Sequence, residues 1–322
     1  MDSAVKEKKE RNKISVFSNG MKTELFLIIV LSLLAVFFAV TSDVFFTLSN
    51  LKTLTRQASI YGVIAIGMVV VITSSGIDLS VGSVTGLSGV VAALLMVNGI
   101  SIPVSIIIAI ITGMFIGLIN GVLVYDGKVP AFIATMGTMT VVRAVIMLLT
   151  NASMISKLPE EFKAIAQIEV LNIPFLFVVW LVVIALAWFM TSKTVFGRNV
   201  YAVGSNREAA RLSGINIRKT TYGVYIFSGL ACSIAGILLA SRLGNGVPTA
   251  GAGYELDAIA AAVVGGASLD GGAGSIVGTV LGSMIMATLR QGGVLLGVNS
   301  FILEIVIGSL IVGAVLLDKL RR

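Results

Sequence analysis

Apolar stretches follow one another along almost the whole chain, each close to the length that crosses a bilayer, and that succession restricts the fold more than any other feature. A span needs about 20 apolar residues. Within hydrocarbon every backbone polar group must be bonded internally, which leaves helices for segments of this kind. By that rule about ten spans are expected, over 24–40, 58–73, 84–97, 103–125, 131–150, 174–190, 222–241, 256–264, 276–292 and 301–317. The eighth is too short to cross alone and is expected to continue through Gly265, Gly266, Ala267 and Ser268. The expectation is an all-α integral membrane protein of about ten transmembrane helices, some short or broken, plus a cytoplasmic helix between two of them. One membrane domain, 24–318, lies between tails at 1–23 and 319–322.

Composition narrows the chemistry. The chain is 57% hydrophobic and 12% charged, and no soluble domain of 322 residues needs so much apolar surface. Its net charge of +7 could suggest nucleic acid, but the basic residues flank the apolar segments, where the preference for positive cytoplasmic loops already accounts for them. The absence of histidine removes imidazole metal sites and histidine-based acid–base catalysis, and the single Cys232 cannot form an intrachain disulfide. No metal site is expected. The first twenty or so residues are too charged for the apolar region of a signal peptide, so the segment after them reads as an uncleaved first span.

Between the sixth and seventh expected spans lies a polar island, 191–221, carrying Lys193, Arg198, Arg207, Arg211, Arg218 and Lys219. Each such side chain costs about 2.5–3.5 kcal/mol at a bilayer centre, so the island sits in water. Ser205 or Asn206 can cap a helix there, with Glu208 soon after, and Gly214 can end it. The segment is either an ordinary basic loop or a docking helix for a soluble partner. With the N-terminus inside, Lys6, Lys8, Lys9, Arg11, Lys13, Lys22, Lys128, the island, Lys319, Arg321 and Arg322 all fall inside, against Lys52, Arg56, Lys157, Lys163 and Arg242 outside. Both termini are therefore expected in the cytoplasm. In the outer loop, Phe162, Ile165 and Ala166 share one face of a short amphipathic helix.

Two glycine-rich stretches interrupt the pattern, 74–83 (SSGIDLSVGS) and 265–274 (GGASLDGGAG). Interrupted spans in the two halves of a transporter often mark its pathway. Both breaks fall inside in this topology, however, so an inverted repeat is not established. Asp78 is either a pathway group or a cap for the helix starting near Ser80, and Asp270 reads as a turn residue. Small residues such as Gly113, Gly117, Gly121 and Gly229 are read as helix packing. Arg290 and Glu304 fall near the outer ends of consecutive antiparallel spans, where an ion pair is plausible. No phosphate-binding loop is present: 121–129 has the wrong spacing and a Val where Ser or Thr is required. Nothing here hydrolyses ATP, and no nucleophile with a base and an orienting partner can be assembled, so an enzyme is rejected.

The runs 73–83 (TSSGIDLSVGS), 130–139 (PAFIATMGTM), 196–198 (FGR), 204–215 (GSNREAARLSGI) and 248–261 (PTAGAGYELDAIAA) resemble, in order and spacing, those of bacterial sugar permeases of the ribose-transporter type. The resemblance covers nearly the whole chain beyond the N-terminal tail. It implies that two copies form the pathway of an ABC importer in the bacterial inner membrane. An extracytoplasmic sugar-binding protein would feed it, and a separate ATPase subunit that uses ATP and Mg would drive it. The helix around Asn206–Gly214 would be the coupling helix, contacting the ATPase through Asn206, Arg207, Glu208 and Arg211, with Gly214 turning the chain away. Ser75, Asp78, Ser80, Thr135 and Thr138 are the pathway candidates. Tyr254, Glu255 and Asp257 could dock the binding protein or simply cap the eighth span. An ion-coupled carrier and a passive channel remain as alternatives, distinguished by a buried titratable site and by the lack of any partner.

Overall fold

Two long antiparallel helices, α2 (Leu48–Thr73) and α10 (Ile217–Leu243), form the centre of the computed structural model, which describes residues 23–320. The basic tail 1–22 and Arg321 and Arg322, both part of the sequence expectation, lie outside the described residues. The apolar spanning windows of α2 and α10 are 83% and 72% buried, against 11% for α1 (Thr23–Thr41), so these two are inner and α1 is peripheral. Around them stand α3 (Val81–Val97), α4 (Ile102–Tyr125), α5 (Ala131–Thr150) and α7 (Phe175–Lys193), then α11 (Tyr254–Val264), α12 (Ile276–Leu295) and α13 (Ser300–Leu320). The connections carry α6 (Glu160–Ala164), a hairpin of β1 (Glu169–Val170) and β2 (Ile173–Pro174), α8 (Val195–Ser205) and α9 (Arg207–Leu212).

Among the described residues six helices, α1, α2, α4, α5, α7 and α10, are long and apolar enough to cross a membrane. Each expected span is matched by a helix. Local capping sets both ends of α10. Asn216 caps α10 by accepting from the Lys219 amide at 3.0 Å, and Gly244 ends that helix in the left-handed region with φ +65°. The sequence expectation fails for the eighth span: α11 does not continue through Gly265 to Ser268. Gly266 has φ +91°, and the Ala267 amide closes back on the Ala262 carbonyl at 2.9 Å, a helix-ending turn. The amphipathic outer helix is shorter than its face suggested, but Phe162 and Ala166 are buried as expected, and Ser241 of α10 bonds both backbones.

Packing at the centre is close because glycines meet glycines. A Cβ at Gly113 of α4 would collide with Ser233 and the Gly229 carbonyl of α10, and one at Gly229 with the Gly113 carbonyl. The outward faces of α1, α4, α5 and α7 expose Leu33, Val40, Ile107, Phe115, Val141, Leu148, Leu186 and Phe189. Such faces suit acyl chains rather than water.

An inverted repeat organises the bundle. Helix α2 ends beside α8, where the Gly272 amide donates to the Thr73 carbonyl at 2.9 Å, and begins at the opposite end, where Lys52 pairs with Glu169 at 2.6 Å. Helix α10 runs the other way, from Arg218, paired with Asp126, to Ser241, bonded to Phe162. Each is followed by an irregular segment that re-enters the bundle, and then by a shorter helix: 74–80 before α3, and 244–253 before α11. The two starting turns meet in the interior, where a Cβ at Gly82 would strike the Gly251 carbonyl. Gly76-Ile77-Asp78-Leu79-Ser80 and Gly253-Tyr254-Glu255-Leu256-Asp257 share one pattern at equivalent places. The counterpart of the first break is therefore 244–253 and not the 265–274 stretch.

Candidate functional site

Helix α9 stands out from one end of the bundle. The Asn206 side chain caps it by accepting from the Ala209 amide at 2.9 Å, and Gly214, with φ +79°, turns the chain away after Ser213. Only Ala210 of this helix is buried, in a small cluster with Val203 and Ile217, while Leu212 is 75% exposed. Arg211 grips Glu208 through two nitrogens, Nε at 3.1 Å and Nη2, which holds the Glu208 carboxyl below the usual carboxylate range and ionised at neutral pH. The Arg207 guanidinium lies over the Tyr125 ring, 5.6 Å from its centre. The result is an ordered stub that offers charge and one bare leucine to solvent.

Directly before this stub, α8 is locked to both glycine-rich stretches. The Ser75 hydroxyl lies 2.9 Å from the Gly204 carbonyl and 2.7 Å from the Asp270 carbonyl, sharing its one proton between them. A Cβ at Gly204 would strike the Thr73 carbonyl and the Gly272 amide. Tyr201 donates to the Gly274 carbonyl at 2.7 Å. Ser75, a pathway candidate from sequence, thus ties backbones together; its φ of +63° is the left-handed conformation this junction imposes on a non-glycine residue. Tyr201 was not anticipated, and nothing in the spacing marks it.

Deeper in the bundle Asp78 is 2% exposed. One carboxylate oxygen accepts from the Ser80 amide at 3.0 Å and its hydroxyl at 2.6 Å, and the other from Ser228 of α10 at 2.8 Å. Asn120 of α4 donates to the Ser80 hydroxyl at 2.8 Å. Thr135 is fully buried, accepting from the Leu79 amide at 3.1 Å. Asp78, Ser80 and Thr135 are thus brought together, in a network that fixes the re-entrant segment. Thr138 is half-buried on α5 and takes no part in it.

In the second repeat the equivalents depart from expectation. Asp257 is 2% exposed and pairs with Arg290 at 2.7 Å, while Tyr254 packs edge-on against Tyr61 at 4.7 Å. These residues start α11 inside the bundle, so Asp257 is not a surface docking group. Arg290 takes Asp257 rather than Glu304, which is exposed on α13, because the re-entrant segment carries Asp257 to its level. No group of three or more metal-ligating side chains occurs among the described residues.

A family described as "Branched-chain amino acid transport system / permease component" matches residues 50–317. The ribose import permease protein RbsC of Escherichia coli K12 is 42% identical over 92% of this chain and 93% of its own length. That of Bacillus subtilis 168 is 40% identical over 90% of each. The xylose transport system permease protein XylH of Haemophilus influenzae is 36% identical over 92% of this chain and 96% of its own. No solved structure matches the chain significantly. With the match running from the start of α2 into α13, the chain belongs to this family of ABC transport permease components and is one of its ribose-type members.

Proposed function

We propose that the chain is the membrane-spanning subunit of an ATP-driven importer for ribose or a related monosaccharide, that two copies enclose the pathway, and that α9 docks on a separate ATPase subunit. The observation that carries this reading is the exposed, capped α9 joined through α8 to both glycine-rich stretches, because docking can transmit force only through an ordered helix with a rigid connection. Lys128, Lys193, Arg198, Arg207, Arg211, Arg218 and Lys219 gather at the α9 end, which supports a cytoplasmic face there and both termini inside. The ATPase would use the ATP and Mg, and a sugar-binding protein would supply affinity from the other side. Relatives named for ribose and xylose support a pentose or similar sugar.

Asp78 supplies the buried carboxylate that an ion-coupled carrier would need, so that reading is kept as the second one. Both of its oxygens are already held by amide and hydroxyl donors, which favours a structural role over ion coupling. Gentle solubilisation from native membranes distinguishes the two. An ATP-hydrolysing subunit should copurify with the wild type and be lost from the Arg207→Glu, Arg211→Glu double variant. Recovery of no such subunit under several mild conditions, with uptake following an imposed proton or sodium gradient, would overturn the importer reading.

A further inference from the structure

The loop from α4 to α5, residues 126–130, is held to α9 and α10 at the end of the bundle where α9 stands. Its own backbone fixes its path: the Asp126 and Gly127 amides donate to the Val122 carbonyl at 2.9 and 3.0 Å, and the Val129 amide to the Leu123 carbonyl at 3.1 Å. The Asp126 carboxylate then gathers donors from α10. Tyr222 donates its hydroxyl to Oδ2, Arg218 Nη2 donates to the same oxygen at 3.2 Å, and Arg218 Nε lies 3.1 Å from Oδ1. The Arg218 guanidinium also lies over the Tyr222 ring, 5.4 Å from its centre. An isolated exposed ion pair contributes little, but a network of several groups on a fixed loop is the exception. One residue earlier, Tyr125 packs against Val203, Ala210 and Ile217 and carries Arg207 over its ring. Ala210 is the one buried residue of α9, so Tyr125 forms part of the seat on which that helix rests.

Beyond this loop α5 begins at Ala131, and one turn later the Thr135 hydroxyl accepts from the Leu79 amide at 3.1 Å and lies 3.1 Å from the Ile77 carbonyl. The connection through α8 reaches the first re-entrant segment at Ser75, on one side of Asp78, whereas this one reaches it at Leu79, on the other. We propose that loop 126–130 is a second mechanical link from α9 to that segment, and that Asp126, Arg218 and Tyr222 are positioning residues that hold the link closed. The inference rests on the transport function proposed above. A segment tied at one end can pivot about the tie; tied at both ends, it has to follow the helix that docks. Packed side chains and hydrogen-bond chains of this kind carry coupling between distant groups.

Two measurements test the link. In the detergent-solubilised chain, Asp126→Ala should speed amide hydrogen exchange severalfold in peptides covering 126–136 and in those containing Leu79, and leave the 169–174 hairpin at the other end unchanged. In the importer reconstituted in vesicles, Asp126→Ala and Tyr222→Phe should each retain the ATPase subunit in wild-type amount, while sugar imported per ATP hydrolysed falls severalfold. Combining them should lower that ratio no further than Asp126→Ala alone, because both act through one carboxylate. Asp126→Glu should restore part of it. A merely structural role would cost protein yield and leave the ratio unmoved. Unchanged exchange at Leu79, or an unchanged ratio, overturns the proposal; loss of the ATPase subunit from Asp126→Ala also overturns it, by making the loop a docking surface. Faster exchange at Leu79 with no ATP-dependent uptake by the wild type overturns the importer reading and leaves the mechanical link standing.

Discussion

Asp78 and Asp257 are both buried near the helix start that follows a re-entrant segment, one in each repeat, and their neighbours give them different work. Asp78 is satisfied by the Ser80 amide and hydroxyl and by Ser228, bonds that hold the re-entrant turn to α10 rather than cap an amide of α3. Asp257 balances Arg290 in the interior. Removing one member of a buried pair leaves an uncompensated charge, typically a loss of about 3–5 kcal/mol. Asp257→Ala should therefore lower the thermal unfolding midpoint in detergent markedly, and Asp257→Asn with Arg290→Met should recover most of the loss. Sequence reading could see that Arg290 needed an acid. It chose Glu304 because span counting places that residue at a similar depth, and only the re-entrant path of 244–253 brings Asp257 closer.

Among the elements, α9 was the most legible: its cap, its acid in the first turn and its terminating glycine are local signals, and all three act as expected. Gly214→Val would put a β-branched residue at φ +79°, a strain of about 1–3 kcal/mol that the exposed turn can relieve only by shifting the helix. The variant should reach the membrane in normal amounts yet lose both the copurifying ATPase and sugar uptake, as measured by quantitative immunoblot, pull-down and transport. Helix α11 was less legible. Its apolar run ends in glycines that could equally continue a helix or stop it, and the left-handed Gly266 decides for stopping. For the pathway candidates, residue type was the limiting factor. Ser75, Ser80 and Thr135 have the hydroxyls a sugar site needs, but these serve backbone and side-chain groups at the breaks.

For the molecule as a whole, the decisive arrangement is the meeting of the α2 end, the 265–274 stretch and α8 at the base of α9. Ser75→Ala removes a shared hydrogen bond of about 0.5–1.5 kcal/mol while keeping the backbone path. The permease should still insert and bind its ATPase, but sugar imported per ATP hydrolysed should fall, measured by parallel uptake and hydrolysis assays in vesicles. The inverted repeat was within reach of sequence too, through the shared pattern of 76–80 and 253–257; the more conspicuous glycines of 265–274 drew attention to the wrong counterpart. The sequence by itself determined the helical membrane class, the approximate extent of most spans and the exposed capped helix, because hydropathy, charge and capping act over neighbouring residues. Which buried groups pair and where each break re-enters were decided only by the tertiary structure. Those depend on the depth at which distant segments meet, and depth is a property of packed helices rather than of any one of them.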